Sequence, residues 1–326
     1  MAVFPTKGKS QTQAKPAPKR ARTNVQKVHT GGLTWYNFSE YTHADARYLT
    51  RNFNFHPLDM EDVASSRQRP KVDEYDDYLF IIFHVPYYDR RNKQMVQEEV
   101  DVFVGQDFLI TIHQGRLKPL ENLLADVRRD KSAKDEYMGK GPGYLLYEII
   151  SRLFENSFPM LDKIAERINV VEREIMAGNS KAMTEEISHL KLEIINFRRI
   201  IRPQRLLVTS LEARKQRFIP NRLDVYFDDV QDAIGRTNDL LDTYKEVVES
   251  LEDTNETFIQ HRTNNVVKVL TVISLATLPG ASLSGLLAMN VRYPFPVDAV
   301  TFIVIVVVSV LTALSLFAYM YWKRWL

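Results

Sequence analysis

Polar side chains interrupt one of the two long apolar runs in this 326-residue sequence. The run 266–287 carries a single charge, Lys268, in 22 residues. It also carries hydroxyl side chains, at Thr271, Ser274, Thr277, Ser282 and Ser284. Polar groups in hydrocarbon are costly unless they face other helices or water. With Asn290 just beyond the run, they indicate a helix that lines a path for a polar species.

Motifs for catalysis are missing from the sequence. It contains no His-Glu-x-x-His, no Walker loop and no nucleophile elbow. It has no cysteine, and its seven histidines are scattered without the spacing of metal ligands. The glycine-rich stretch Gly139–Gly143 resembles a domain linker more than a phosphate cradle. We therefore expect a protein that is not an enzyme.

The charge of the sequence is uneven. Residues 1–30 hold seven Lys or Arg and no acid, and the remainder holds 36 basic against 41 acidic residues. Such a body is a poor binder of nucleic acid, so we expect no nucleic-acid partner. The tail 1–30 is predicted to be a disordered basic arm, although Lys19–Arg22 could touch anionic lipid or nucleic acid.

Two membrane helices are predicted from the apolar runs. The first spans about 33 Å at 1.5 Å per residue, enough for a hydrocarbon core of roughly 30 Å. The second, residues 299–322, is uncharged. The connecting loop has Arg292 and Asp298, whereas Lys323 and Arg324 follow the second run. This distribution places both termini, and the soluble part, on the cytoplasmic side of the cell membrane.

In the region before the two apolar runs, the spacing of apolar residues changes near Gly143 from a period of two to one of about three and a half. A small α/β domain precedes it, with strands predicted at Leu33–Phe38, Tyr78–Pro86, Glu98–Val104 and Phe108–His113 and helices at His43–Asn52 and His56–Ser66. One long helix is then predicted over Tyr144–Met176, ending at Ala177–Ser180, and a second over Lys181–Phe218.

A third helix is predicted from Asn221 into the first apolar run without a break. Its small and apolar residues follow heptad-like steps, at Leu223, Tyr226, Val230, Ala233, Thr237, Leu240, Tyr244, Val248, Leu251 and Phe258. Such a pattern predicts a seam that packs against other helices. One pair of spans cannot enclose a pore, so the pattern favours an oligomer with the first span around the axis.

The sequence closely resembles the CorA family of magnesium channels. The resemblance is carried by the stretches Thr263–Thr271, Leu278-Pro279, Gly285, Met289-Asn290 and Trp322–Leu326, and upstream by Tyr226–Asp232, Glu61–Val63 and Gln68–Val72. It implies a cone-shaped homopentamer with a funnel of α/β domains beneath the membrane. It also implies transport of divalent cations, above all Mg²⁺, with Co²⁺ or Ni²⁺ as further ions.

On this basis the chain divides into seven segments. They are a basic tail (1–30), a cytoplasmic α/β domain (31–142), a long-helix stalk (143–265), a pore-lining first membrane helix (266–290), an outer loop (291–298), a second membrane helix (299–322) and a basic end (323–326).

The family signature Gly-Met-Asn reads Ala288-Met289-Asn290 in this sequence. The resemblance implies that five Asn290 carbonyls form a ring that holds the hydrated ion. Ala288 resists backbone conformations that Gly tolerates, and five Arg292 side chains at a pore mouth would repel divalent cations unless they turn to lipid headgroups. A CorA-like protein that moves another metal such as Zn²⁺, or anions, and a non-conducting membrane sensor therefore remain as alternatives.

The resemblance also implies a pore line and a regulatory metal site. The pore-lining positions are Asn264, Val267, Leu270, Leu278 and Ala281. The three large apolar residues among them would form rings able to close the pore by dewetting. The regulatory carboxylates are Asp62, with Glu61 beside it, facing Asp229 of the next subunit, and Asp253 nearer the membrane. Mg²⁺ between them would hold the channel shut.

Overall fold

A computed structural model describes residues 23–65, 68–92, 94–214, 218–289 and 298–323. Their contacts divide the chain into two units. The first consists of residues 1–162 and 195–242, and the second of residues 163–194 and 243–326.

The first unit is built on a six-stranded sheet. Its strands are β1 (Val25–Thr30), β2 (Leu33–Ser39), β3 (Lys71–Glu74), β4 (Leu79–Asp89), β5 (Gln94–Val104) and β6 (Phe108–His113), in the spatial order β1-β2-β6-β5-β4-β3. Only β2 and β6 pair in parallel. Residues 79–85 of β4 are buried without alternation, because both faces of this strand are covered.

Five helices accompany the sheet: α1 (His43–Asn52), α2 (Pro57–Ala64), α3 (Lys118–Arg129), α4 (Lys131–Met138) and α5 (Pro142–Glu155). Thr42 begins α1 through a capping box with Asp45. Pro57, which needs no N–H donor at a helix start, begins α2. Val63 of α2 packs in a core cluster with Phe80 and Phe103 of the sheet. This packing fixes α2 on the sheet and so fixes where its acidic residues lie.

The predicted boundary between tail and domain at residue 30 is wrong. Residues 25–30 form strand β1, which pairs with β2 from Val25 opposite Phe38 to Thr30 opposite Leu33. The strand is polar and lies at the sheet edge, so its composition resembled the tail. Residues 1–22 lie outside the described part of the chain.

The single helix predicted over Tyr144–Met176 is also wrong, because the structure has two helices, α5 and α6 (Phe158–Met176). Pro159 has no N–H and cannot donate to the carbonyl of Glu155, so the ladder breaks there. The predicted stop at Ala177–Ser180 is confirmed. Gly178 adopts a φ of 92° and the N–H of Asn179 donates to Glu174, which closes α6.

Three more helices follow, of which the first two are very long and the third is shorter and apolar. These are α7 (Ser180–Arg214), α8 (Asp224–Leu287) and α9 (Ala299–Trp322). The predicted continuity of the third helix is confirmed: α8 has 64 residues and contains Pro279. It ends three residues before the predicted limit of 290, and α9 has the predicted bounds.

The buried seam of α8 differs in detail from the prediction. Within the first unit the buried positions of α8 are Phe227, Val230, Ala233, Ile234, Thr237 and Leu241, with Leu223 buried in the turn just before the helix. Within the second unit they are Val248, Leu251 and Asn255. The steps of three and four are as predicted. Of the predicted positions, however, Tyr226 and Phe258 are exposed and Leu240 and Tyr244 are half-buried. Phe227 and Leu241 lie in the seam instead.

Candidate functional site

The predicted pore-lining residues share one face of α8. Asn264, Val267, Leu270, Leu278 and Ala281 fall within an arc of about 120° at 100° per residue, and all five are exposed in the chain. Val267, Leu270 and Leu278 have exposed fractions of 53, 57 and 62%. Large apolar side chains this exposed need cover from lipid or from another protein surface.

Two threonine hydroxyls of the same span donate hydrogen bonds to carbonyls of their own helix. Thr271 Oγ1 donates to the carbonyl of Val267 at 2.8 Å, and Thr277 Oγ1 donates to that of Ile273 at 2.9 Å. Such bonds reduce the cost of placing a hydroxyl in hydrocarbon. The span can therefore be both polar-spotted and stable in a membrane.

The C-terminal end of α8 lies just before Ala288-Met289-Asn290. The N–H of Ala288 donates to the carbonyl of Ser284 at 3.0 Å, and the chain then bends at Met289, which is exposed. Asn290 and Arg292, the predicted selectivity ring and mouth charge, lie outside the described residues.

Helix α9 begins at Asp298. The Asp298 carboxylate accepts hydrogen bonds from the Thr301 N–H at 3.0 Å and from the Thr301 hydroxyl at 2.9 Å. The most apolar windows of α8 and α9 are unburied within the chain, and both helices are long enough to cross a membrane. The two spans predicted from the sequence are therefore present as exposed apolar helices.

Three of the predicted regulatory carboxylates lie in the first unit, on α2 and α8, and the fourth, Asp253, lies on the part of α8 that belongs to the second unit. Glu61 is exposed and Asp62 half-buried on α2, Asp229 is exposed on α8, and Asp253 is exposed further along α8. Among the described residues, no three His, Cys, Asp or Glu side chains come close enough to hold a metal ion.

Sequence reasoning missed Lys71, which forms an ion pair with Asp62. Lys71 Nζ lies 2.7 Å from Asp62 Oδ2 and 2.5 Å from Asp73 Oδ2. Lys71 begins β3, a strand that the sequence analysis did not predict. Alternation across Lys71–Glu74 places Lys71 and Asp73 on one side of the strand. That spacing was the sign in the sequence that Lys71 and Asp73 could form an ion pair.

Asp101 is a further residue near Asp62 that was not predicted from the sequence. It lies inside the sheet opposite Ile82 and Ile112. Burial raises its pKa well above the usual range, and the negative charges of Glu99 and Asp62 add to this rise. The electrostatic environment of Asp62 thus includes a buried carboxyl as well as Lys71.

Comparisons with known proteins agree with this architecture. The sequence model of the family described as "CorA-like Mg2+ transporter protein" matches residues 30–324. The cobalt/magnesium transport protein CorA of Thermotoga maritima is 27% identical over 261 residues, which cover 80% of this chain and 74% of that protein.

Solved structures show the same fold. The complete structure of the CorA magnesium transporter from Methanocaldococcus jannaschii matches with a TM-score of 0.77 at 19% identity, covering 92% of this chain and 93% of that one. The structure of the full-length CmaX protein matches with a TM-score of 0.71 at 17% identity, covering 90 and 88%. With an α/β domain, a long helix, two apolar helices and a family match over nearly its whole length, the chain belongs to the CorA-like Mg²⁺ transporter family, whose members are ion transporters rather than enzymes.

Proposed function

We propose that this protein is a homopentameric channel for divalent cations, with Mg²⁺ as its main ion and Co²⁺ or Ni²⁺ as further ions. The observation that carries the proposal is the exposed face of α8. It presents Asn264, Val267, Leu270, Leu278 and Ala281 along a span that is unburied in the single chain. Five such faces around an axis would cover one another and enclose a path.

The ion path uses the two kinds of residue on this face. Asn290 and Asn264 supply amide oxygens at the two ends of the span, and hard oxygen ligands suit a hydrated Mg²⁺ that releases its waters reluctantly. Val267, Leu270 and Leu278 form apolar rings between them. Because narrow apolar rings expel water, they act as the closed gate.

The gate is regulated by cytoplasmic Mg²⁺ bound between subunits. Asp62, with Glu61 beside it, faces Asp229 of the neighbouring copy, and Asp253 adds a further carboxylate nearer the membrane. Opposed carboxylates repel unless a divalent cation bridges them. Loss of Mg²⁺ then separates the subunits and opens the path.

The protein acts in the cell's inner membrane, with both termini in the cytoplasm. Its partners are its own copies, membrane lipid and divalent metal ions, and no nucleic acid. Helix α9 is uncharged and mostly exposed, and so suits the lipid-facing position around α8.

Ion flux into proteoliposomes tests the proposal. Purified protein should admit Mg²⁺ down its gradient, and Asn290→Ala should reduce this flux on the order of ten-fold or more, since the ring then lacks its amide oxygens. Pentamer assembly serves as the control, because one loop amide contributes little to folding. Mg²⁺ flux that is unchanged in an assembled Asn290→Ala pentamer would contradict the proposed ring.

Two residues favour a second function. Ala288 replaces the glycine of the family signature, and Arg292 would place positive charge at the pore mouth. In this second function the same scaffold conducts another metal such as Zn²⁺, or anions. Arg292→Ser separates the two functions. Cation flux should increase with this variant, most at low ionic strength, whereas a fall in chloride flux would favour the anion function.

A further inference from the structure

We propose that Lys71 is a resident competitor for the regulatory cation at Asp62, so that displacement of its ammonium sets the Mg²⁺ concentration at which the protein responds. The inference rests on the proposed function, in which Asp62 is a ligand of that cation. Lys71 is thereby a positioning residue that acts through Asp62.

The ion pair is partly withdrawn from solvent. The exposed fractions of the side chains are 33% for Lys71, 19% for Asp62 and 34% for Asp73. Ion pairs at fully exposed sites are screened and weak, and the pairing strengthens as water is excluded. At Asp62 the ammonium therefore presents real competition to another cation.

The position of Lys71 is fixed by three elements. Its backbone pairs with Ile82 at the start of β3, and its ammonium lies 5.3 Å from the centre of the Phe80 ring on β4. Asp62 comes from α2, whose Val63 is buried against the same sheet. These contacts restrict the Lys71 side chain, whereas a lysine on an open surface samples many conformations.

The ammonium stays charged in this position. Burial acts to lower the pKa of Lys71, but the hydrogen bonds and negative charges of Asp62 and Asp73 outweigh burial and raise that pKa above its usual range. The competition is therefore between two cations throughout the physiological range of pH.

Asp73 gives the displaced ammonium a second partner. A divalent cation at Asp62 competes for the carboxylate whose Oδ2 Lys71 now contacts, and it repels the ammonium. Because Asp73 already binds the same Nζ at 2.5 Å, Lys71 can release Asp62 without losing all its hydrogen bonds. Lys71 thus opposes metal binding, and Asp73 favours it.

These opposite effects give a test that uses the full-length protein in detergent. Protection from limited proteolysis is measured as a function of Mg²⁺. Lys71→Met keeps most of the apolar stem over Phe80 and should lower the half-protecting Mg²⁺ concentration roughly three- to ten-fold. Asp73→Asn leaves the ammonium to Asp62 alone and should raise that concentration roughly two- to five-fold.

Two further variants serve as controls. Lys71→Arg keeps the charge and should remain near the wild-type midpoint. Arg69→Gln removes an equal charge two residues away, at an exposed side chain, and should leave the midpoint nearly unchanged. A purely structural role for Lys71 would lower the melting temperature of both Lys71→Met and Asp73→Asn without moving their midpoints in opposite directions.

The outcomes distinguish this inference from the function on which it rests. If Mg²⁺ protects the wild type but the two midpoints move together or not at all, Lys71 is not a competitor and the inference is overturned. If Mg²⁺ does not protect the wild type, regulation by Mg²⁺ fails and the inference fails with it. Should Lys71→Met not fold, the direction of the Asp73→Asn shift decides the question alone.

Discussion

A chain of buried polar side chains links β2 to β6. Trp35 Nε1 donates to Thr111 Oγ1 at 3.0 Å, Thr111 donates to Asn37 Oδ1 at 2.6 Å, and His113 Nε2 lies 3.1 Å from the same oxygen. The N–H of Gly115 donates to His113 Nδ1, so Nδ1 is an acceptor and Nε2 carries the hydrogen. This neutral form of His113 is the one that the fold requires.

Stability should therefore fall in mild acid through His113. Burial lowers the pKa of His113 from 6.5 to about 4. Above pH 6.5 His113 is neutral in both folded and unfolded states, whereas between 6.5 and 4 only the unfolded state gains a proton. The full loss amounts to about 3 kcal/mol of unfolding free energy.

Thermal melting of the solubilised protein, followed by tryptophan fluorescence in a variant that keeps buried Trp35 and carries Trp322→Phe and Trp325→Phe, measures this loss across pH 7 to 4. His113→Gln should flatten the pH dependence, even if it lowers the melting temperature at pH 7. His189→Gln changes an exposed histidine and should keep the wild-type dependence. An unaltered slope in His113→Gln would contradict the assignment.

At the scale of elements, the start of α5 packs closely against the segment that leads into α8. A Cβ placed on Gly143 would lie 3.1 Å from Ile219 Cγ2 and 3.1 Å from Leu223 Cδ1. Gly143→Ala should therefore lower the unfolding free energy by about 1–3 kcal/mol, since the neighbours must shift.

Gly235 provides the matched control for this prediction. It lies inside α8, and a Cβ there would meet nothing within 4 Å. Gly235→Ala should raise stability by about 0.5–1 kcal/mol, because alanine favours the helix. Equal effects of the two substitutions on the melting temperature would show that helix preference, and not the close approach at Gly143, governs the result.

The elements that the sequence predicted well have strong end signals. Helix α1 follows the Thr42 cap, β6 follows a Gly105–Asp107 turn, and α9 follows the Asp298 cap, so their bounds were accurate or nearly so. Helices α3 and α4 and strands β1 and β3 were missed, because charged and polar residues make up much of each.

The candidate site was only partly predictable. The pore-line positions on α8 come from the resemblance to the family, and helical periodicity adds only that they share one face of the helix. The pairing of Lys71 with Asp62 depends on how α2 packs against β3, and periodicity holds no information on that contact. The roles of Asn290 and Arg292 rest on the resemblance to the family, and both lie outside the described residues.

For the whole molecule, the expected assembly is a pentamer. Native mass spectrometry in detergent should give five chains of 37.9 kDa each. The exposed apolar face of α8 is the physical reason for an oligomer, since one or two chains cannot cover it around an aqueous path. The number five is what the resemblance to the family implies. A mass of one or two chains under conditions that retain Mg²⁺ transport would contradict this prediction.

Pro279 gives the membrane span a property that its side chains do not show. Because Pro279 has no N–H, the carbonyl of Leu275 one turn earlier loses the donor that every ordinary helix supplies. A backbone oxygen left bare in lipid costs several kcal/mol. Near the middle of the run 266–287, the carbonyl of Leu275 thus lacks its usual helical donor, and a water molecule bound there would supply the missing hydrogen bond.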